Sequence, residues 1–276
     1  MTHMKLWNSK NKRPKIGLAL GSGGAHGLAH IGVIKALLDN DIPIDYIAGA
    51  SSGALIGGLY AVHKDIDAVE RIALTSDLNL LTRFMFDVST RGGLLSGSTV
   101  EQFIRDALDD VTFDALRIPF AAVATDIHTG EAIVLRSGDV SSAIRASISV
   151  PVIFEPVVHE GRLLVDGGLV MPVPVGLVRD MGADIVIGVN LDTPCLHKEH
   201  AAEPNVKMII EMTMEILRNN LSEAQAQTAD ITVSPRFDTK VLVGWSEFLH
   251  AKGLIEKGQD SMEAELPRLK ALLSKR

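Results

Sequence analysis

The sequence predicts an α/β fold built on a mainly parallel sheet, and three observations carry that expectation. Lys15 to Leu20 (K-I-G-L-A-L) is a short apolar run that ends in Gly21-Ser22-Gly23-Gly24-Ala25-His26-Gly27 and opens onto a helical pattern from Leu28 to Asp39. A second apolar run closes in Gly49-Ala50-Ser51-Ser52-Gly53 and again opens onto a helix. These two strand–turn–helix units start a βαβ arrangement, and the apolar runs at 118–125 and 183–190 add further buried strands.

The first unit reads as an anion site. A glycine-rich turn lets a ligand approach the backbone, and the free N–H groups and positive dipole end of the next helix face the same space. Asn40 ends that helix, and Ile42 to Tyr46 leads into the second strand. There, Gly49-x-Ser51-x-Gly53 has the form of a strand–elbow–helix turn that exposes a serine hydroxyl. Either serine can be the attacking group by composition, but only Ser51 has glycine at both −2 and +2. Ser52 then contributes the backbone N–H that follows the nucleophile. Loops at the C-terminal ends of parallel strands lie together, so the glycine turn and the elbow are expected to share a crevice.

Beyond the elbow, 65–81 is helical in pattern, and Phe84 and Phe86 extend an apolar run that reads as core cover before it reads as the wall of an acyl groove. Residues 92–98 read as a loop, 100–108 as a helix, and 118–125 and 132–135 as strands. A short helix over 141–149 ends at Val150-Pro151, and the strand 162–165 stops at Asp166-Gly167-Gly168. The strand 183–190, a long amphipathic helix over 206–228, a strand at 231–234 and a helix over 262–273 complete the chain. No repeat or convincing linker interrupts it. The expected organisation is a basic arm (1–14), a catalytic core (15–180) and a C-terminal extension (181–276) packed on the same domain.

Composition narrows the function classes. A net charge of −7 argues against a nucleic-acid partner, which needs a clustered positive surface. The basic stretch from Lys5 to Lys15 reads as a solvated arm, with weak attraction to anionic lipid as the lesser reading. No apolar leader follows Met1, no run reaches the ~20 apolar residues of a membrane span, and Cys195 is a lone cysteine. These features fit a reducing cytoplasm. The helix from Val206, rich in Met and Ile, is the feature that would support homo-oligomerisation.

An acyl-transfer site needs a nucleophile, a base and backbone donors for the developing oxyanion. Ser51 supplies the hydroxyl, Gly23 and Gly24 supply N–H groups, and Asp166 beside two glycines can approach closely and take the proton. Asp-Gly-Gly alone is usually only a turn in which the aspartate bonds its own backbone. A serine–histidine–aspartate order would place the histidine at His197, His200 or His250, none of which has a strand-end context. His26 and His30 share a helix spacing, but no third metal ligand suggests itself.

The set S-G-G-A-H-G (22–27), G-A-S-S-G (49–53), S-V-P-V-I-F-E-P (149–156) and D-G-G (166–168) resembles the patatin-like phospholipases, most of all the small bacterial RssA-like members. The resemblance implies a three-layer α/β/α fold with a mainly parallel central sheet. It further implies a cofactor-free and metal-free Ser/Asp dyad that cleaves acyl esters of phospholipids, lysophospholipids or related lipids. Carried over, Ser51 is the nucleophile, Asp166 the base, and Gly23, Gly24 and the Ser52 N–H the oxyanion donors. Ser22, His26, Gly27, Gly49, Gly53, Gly167 and Gly168 complete the motifs. A lipid or acyl-ester substrate is the implied partner, with transient contact to a membrane surface. Two positions depart from the family pattern: Ser22 stands for a first glycine, and His26 for a basic Arg or Lys. A neutral imidazole there loses a fixed positive charge.

Two other function classes share features with the chain. Gly21-x-Gly23-x-x-x-Gly27 with Tyr60-x-x-x-Lys64 imitates a nicotinamide-dependent reductase, but the tyrosine follows the glycines far too soon. A non-catalytic regulator or scaffold on the same fold is the remaining class, since fold alone does not fix activity.

Overall fold

The computed structural model describes residues 13–74, 93–192, 206–237 and 251–275. Among these, an eight-stranded sheet takes strands from nearly the whole chain. In sequence order the strands are β1 (Ile16–Leu20), β2 (Tyr46–Ala50), β3 (Gly93–Leu95), β4 (Phe120–Asp126), β5 (Ala132–Leu135), β6 (Val152–Phe154), β7 (Val157–His159), β8 (Arg162–Asp166), β9 (Ile185–Val189) and β10 (Ile231–Val233). The large sheet runs β10-β9-β1-β2-β4-β8-β7, with β5 also on β4, while β3 and β6 form a separate pair. From β10 to β4 every neighbour is parallel, and β5, β7 and β8 add antiparallel pairings.

Alternation along the strands explains the layering. Ile16, Leu18 and Leu20 of β1 join Ile47, Phe120, Ile185, Ile187 and Val189 in one core, whereas Ala19, Ala48, Ala121 and Val186 point into a second. A strand shows successive side chains to opposite faces, so large residues cover one face and small ones the other. The large face packs helices α1 (Ala29–Asp39), α2 (Ser52–His63), α3 (Ile66–Leu74), α4 (Ser98–Leu108) and α5 (Val140–Ser147), joined at the C-terminus. The small face receives α6 (Val175–Asp180) and the end of α7 (Val206–Ala226). Gly17 makes that approach possible, because a Cβ there would lie 2.1 Å from Val178 Cγ1. A mainly parallel sheet covered on both faces is the expected three-layer α/β/α arrangement.

The last helix corrects the sequence expectation. It runs as α8 from Ala251 to Ser274, not from residue 262, and Pro267 lies inside it. Gly253 and Gly258 weigh against a helix in the sequence. Gly258 is needed for contact: a Cβ on it would meet the Ala29 carbonyl oxygen at 2.0 Å, and one on Gly32 of α1 would meet the Ile255 oxygen at 1.9 Å. Reciprocal glycine notches thus bring α1 and α8 into close crossing, and tertiary packing overrides propensity. Residues 93–95 are likewise a strand paired with β6 rather than loop. The aromatic run at 84–86, Cys195 and the histidines at 197, 200 and 250 lie outside the described residues.

Candidate active site

Sheet register brings the candidate nucleophile and base to one level. Ala50 pairs with Val123, so Ser51 stands one step on, level with Ala124, and Ala124 pairs with Asp166 from the opposite side of β4. Ser51 caps α2 with φ 53° and ψ −123°, a conformation that non-glycine residues rarely adopt. Its N–H donates to Ser147 Oγ of α5 at 2.9 Å. The elbow needs its glycines for space, since a Cβ on Gly53 would lie 2.1 Å from the Leu20 carbonyl oxygen and one on Gly49 2.3 Å from that of Gly53.

Asp166 is fixed at both backbone groups. Its N–H donates to the Ser149 carbonyl at 2.9 Å, and its carbonyl accepts from Thr125 Oγ1 at 2.8 Å. Oδ1 accepts the Gly168 N–H at 2.7 Å, whereas Oδ2 is buried and completes no hydrogen bond of ordinary geometry. Burial pushes the carboxyl up to about 6, against the opposing pull of the Ser51 hydroxyl, the Gly168 N–H and the Arg218 charge; the Asp192 carboxylate adds to the rise. The Ser51 hydroxyl is thus one of the groups that favour the ionised carboxylate, and both side chains line the same cavity. Catalytic hydrogen bonds are often loose before substrate arrives. Gly167 must be glycine here, as a Cβ would stand 2.1 Å from the Val123 oxygen.

The glycine turn completes the crevice. Gly24–Leu28 is a 3-10 turn capped by Gly23, and Gly24 has φ 56°. Ser22 is buried with its N–H on the Pro172 carbonyl at 2.8 Å, and Gly27 lies so close to the elbow that a Cβ would meet Ser52 Cβ at 2.4 Å. Under the turn, His30 Nε2 bonds the Gly21 carbonyl at 2.8 Å, and burial lowers its pKa to about 4, so this imidazole is neutral. His26 is buried and stacks on Phe237 with ring centroids 4.0 Å apart. The basic position of the loop is thus occupied by a packed ring.

Gly23, Gly24, Ser51, Asp166 and Gly168 all line one cavity of about 70 Å³, with Val150, Pro151, Ile153 and Leu169 on its apolar side and Met214, Glu215 and Arg218 from α7. The expected catalytic residues are therefore brought together. No local pattern singles out Ser147, Thr125, Asp192 or Arg218, which meet the site through tertiary contacts. The reductase pair is placed elsewhere: Tyr60 and Lys64 line a cavity with Arg13 and Asp45, at the far end of α2 from Ser51. Among the described residues, no group of three His, Cys, Asp or Glu side chains is placed to hold a metal ion.

The chain is similar to several known proteins. An uncharacterized NTE family protein of Mycobacterium bovis is 38% identical over 193 residues, covering 70% of this chain and 53% of that protein. The lysophospholipase nte1 of Emericella nidulans is 33% identical over 181 residues, 64% of this chain but 12% of the fungal protein. The chain thus spans about half the length, or less, of these curated relatives. Among solved structures, the ExoU–SpcU complex of Pseudomonas aeruginosa aligns with TM-score 0.52 and 16% identity over 94% of this chain and 52% of that one, a likeness of fold. The patatin-like phospholipase family model matches residues 18–179, a segment that holds the glycine turn, the elbow and Asp166-Gly167-Gly168 together. With more than half of its length matched and all three loops inside the match, the chain belongs to the patatin-like phospholipase family.

Proposed function

We propose that this protein is a serine acyl-ester hydrolase that cleaves fatty-acyl esters of phospholipids, lysophospholipids or similar lipids. The observation that carries the reading is the sheet register that sets the buried Asp166, across β4, level with Ser51 on its strained elbow, with both residues lining one cavity. Asp166 takes the Ser51 proton as Oγ attacks the ester carbonyl, and a tetrahedral oxyanion forms. The N–H groups of Gly23 and Gly24 and the helix-start N–H of Ser52 stabilise that charge. The alcohol leaves with a proton, and water activated by Asp166 then hydrolyses the acyl-enzyme. No cofactor or metal enters this scheme.

The substrate class draws support from family membership and from the lysophospholipase named among the relatives. No helix among the described residues is long and apolar enough to cross a membrane. Contact with lipid would instead be peripheral, and α7 offers Ile209, Ile210, Ile216 and Leu217 as exposed apolar residues on the helix that also lines the cavity.

The test is hydrolysis of p-nitrophenyl butyrate, p-nitrophenyl palmitate and lysophosphatidylcholine by wild type, Ser51→Ala and Asp166→Asn, with folding verified by circular dichroism. Loss of turnover in both variants is expected. A Ser51→Ala protein that keeps its rate rejects the dyad and leaves the scaffold reading in its place.

A further inference from the structure

The active-site cavity holds two charged groups that the dyad scheme does not use, Glu215 and Arg218, and of these Arg218 reaches the glycine turn through Asp192. Arg218, on the inner face of α7, directs Nε and Nη2 to Asp192 Oδ1 at 3.0 and 2.9 Å. Asp192 follows β9 and is almost wholly buried, and its other oxygen, Oδ2, accepts from Ser22 Oγ at 3.4 Å. Ser22 is the residue before Gly23 and Gly24, and it packs on Gly168 beside the base: a Cβ on Gly168 would meet both Ser22 Cβ, at 2.8 Å, and Asp166 Oδ1, at 2.9 Å.

One turn pair further along the same helix face, Gln225 performs the matching task on the other loop. Its Oε1 accepts from the Val173 N–H at 3.0 Å, and its Nε2 donates to the Val170 carbonyl at 3.2 Å. Residues seven apart lie on one face of a helix, so α7 grips both the glycine turn and the loop behind Asp166. The Ser22 N–H on the Pro172 carbonyl joins the two loops directly.

Two roles are open to Arg218: binding an anionic substrate group, or fixing its neighbours. Charge decides between them. Asp166 and Glu215 line the cavity with Arg218, and Asp192 already holds two of the guanidinium's N–H directions, so the cavity carries more acid than base. A substrate anion would have to compete with a buried carboxylate already in place.

We propose that Arg218 is a positioning residue for acyl transfer: by fixing Asp192 against Ser22 it holds the glycine turn, and with it the Gly23 and Gly24 N–H groups, in place beside Ser51. The inference rests on the Ser51/Asp166 reading above. Arg218 also balances Asp192, and among the described residues these two charged side chains act on Asp166 in opposite senses, while Glu215 lines the same cavity.

The experiment uses the full chain, with fluorophosphonate labelling and kcat and KM for p-nitrophenyl butyrate between pH 5 and 9. Ser51→Ala must abolish labelling, which tests the dyad separately in an otherwise intact protein. Arg218→Met is expected to lower kcat about 10- to 100-fold, the scale of a slightly misplaced catalytic group, with KM nearly unchanged. Its acid limb should move to higher pH, because Asp192 then faces Asp166 uncompensated. Adding Asp192→Asn to Arg218→Met should return the limb toward wild type without restoring kcat, and Arg218→Lys should restore part of kcat. Ser22→Ala cuts the link with one atom and should lower kcat with the limb in place. It carries the test if Arg218→Met does not fold. Wild-type kcat in Ser22→Ala, or an Arg218→Met effect confined to KM, overturns the proposal.

Discussion

The backbone N–H of Ser51 is held by the hydroxyl of Ser147, 2.9 Å away on α5, at the one point of the elbow where φ reaches 53° and ψ −123°. That bond anchors a conformation which an L-residue adopts only when its surroundings impose it. Strain at this point is expected to be measurable. Ser51→Gly should unfold at higher temperature than Ser51→Ala, by about 1 kcal/mol, since glycine relieves a strain of about 1–3 kcal/mol and returns part of it as chain entropy. Ser147→Ala should cost about 1–3 kcal/mol, the penalty for a buried N–H left without a partner. Thermal denaturation of the three variants checks both statements; equal stability of the Gly and Ala proteins would remove the strain argument.

The Asp166 carboxyl sets the pH dependence. Acting as a base it must be ionised, so kcat/KM is expected to fall as pH drops through about 6, and this limb should be absent from the residual rate of Asp166→Asn. Stability runs the other way. The folded pKa lies above the ordinary 3.8, so the native state binds more protons between those values and stability falls as pH rises from about 4 to 6. The penalty is absent below the unfolded pKa and complete above the folded one. Asp166→Asn should therefore be stabilised relative to wild type at pH 8, on the order of 2–3 kcal/mol, and little changed at pH 4. Urea denaturation at the two pH values gives the difference directly.

Space at the glycines separates those the site needs from those it does not. A Cβ at Gly53 or Gly167 would lie 2.1 Å from a backbone carbonyl oxygen, of Leu20 and Val123 respectively, and neither strand can retreat from the sheet. Gly53→Ala and Gly167→Ala are expected to destabilise by about 1–3 kcal/mol or more and to abolish fluorophosphonate labelling. Gly176 lies in α6 with nothing within 4 Å of the added atom. Gly176→Ala should leave labelling intact and add up to about 1 kcal/mol of stability. A labelled Gly53→Ala protein would contradict the close-packed elbow.

These same contacts show where the sequence was informative and where it stopped. Local patterns revealed the strand–turn–helix units, because an apolar run, a glycine turn and a helical period are all contiguous in Ile16–Asp39 and Tyr46–His63. The three loops of the site were legible for the same reason: Gly23, Ser51 and Asp166 each sit in a short motif. Antiparallel β8 was visible as a strand, but nothing local shows that its register sets Asp166 level with Ser51 across β4. Asp192 and Arg218 were invisible because their meaning comes from a contact spanning 26 residues, which no periodicity encodes. The first part of the last helix, before residue 262, is hidden for a related cause: the helix cost of Gly258 is offset by a partner helix more than two hundred residues earlier in the chain.

Arg145 is the remaining long-range support, and it yields the last expectation. Its buried guanidinium donates to the carbonyls of Ser96, Gly97 and Glu155 at 2.8, 3.3 and 3.3 Å and to Ser149 Oγ at 2.7 Å, and it lies over the Phe154 ring. The planar fork thus fastens two backbone segments, 96–97 and Glu155, and the Ser149 hydroxyl, and the Ser149 carbonyl in turn receives the Asp166 N–H. Lysine has one charged centre and cannot span those acceptors. Arg145→Lys and Arg145→Met should each destabilise by about 2–4 kcal/mol, since carbonyls left unpaired in the interior lose their charged donor. The loss at the base should also appear as slower labelling of Ser51 under conditions where the variants remain folded. Gly97 offers an independent check: it has φ 80°, and a Cβ there would stand 2.0 Å from Arg145 Nη2. Gly97→Ala should reproduce both effects. If it labels at the wild-type rate, the arginine clamp does not reach Asp166.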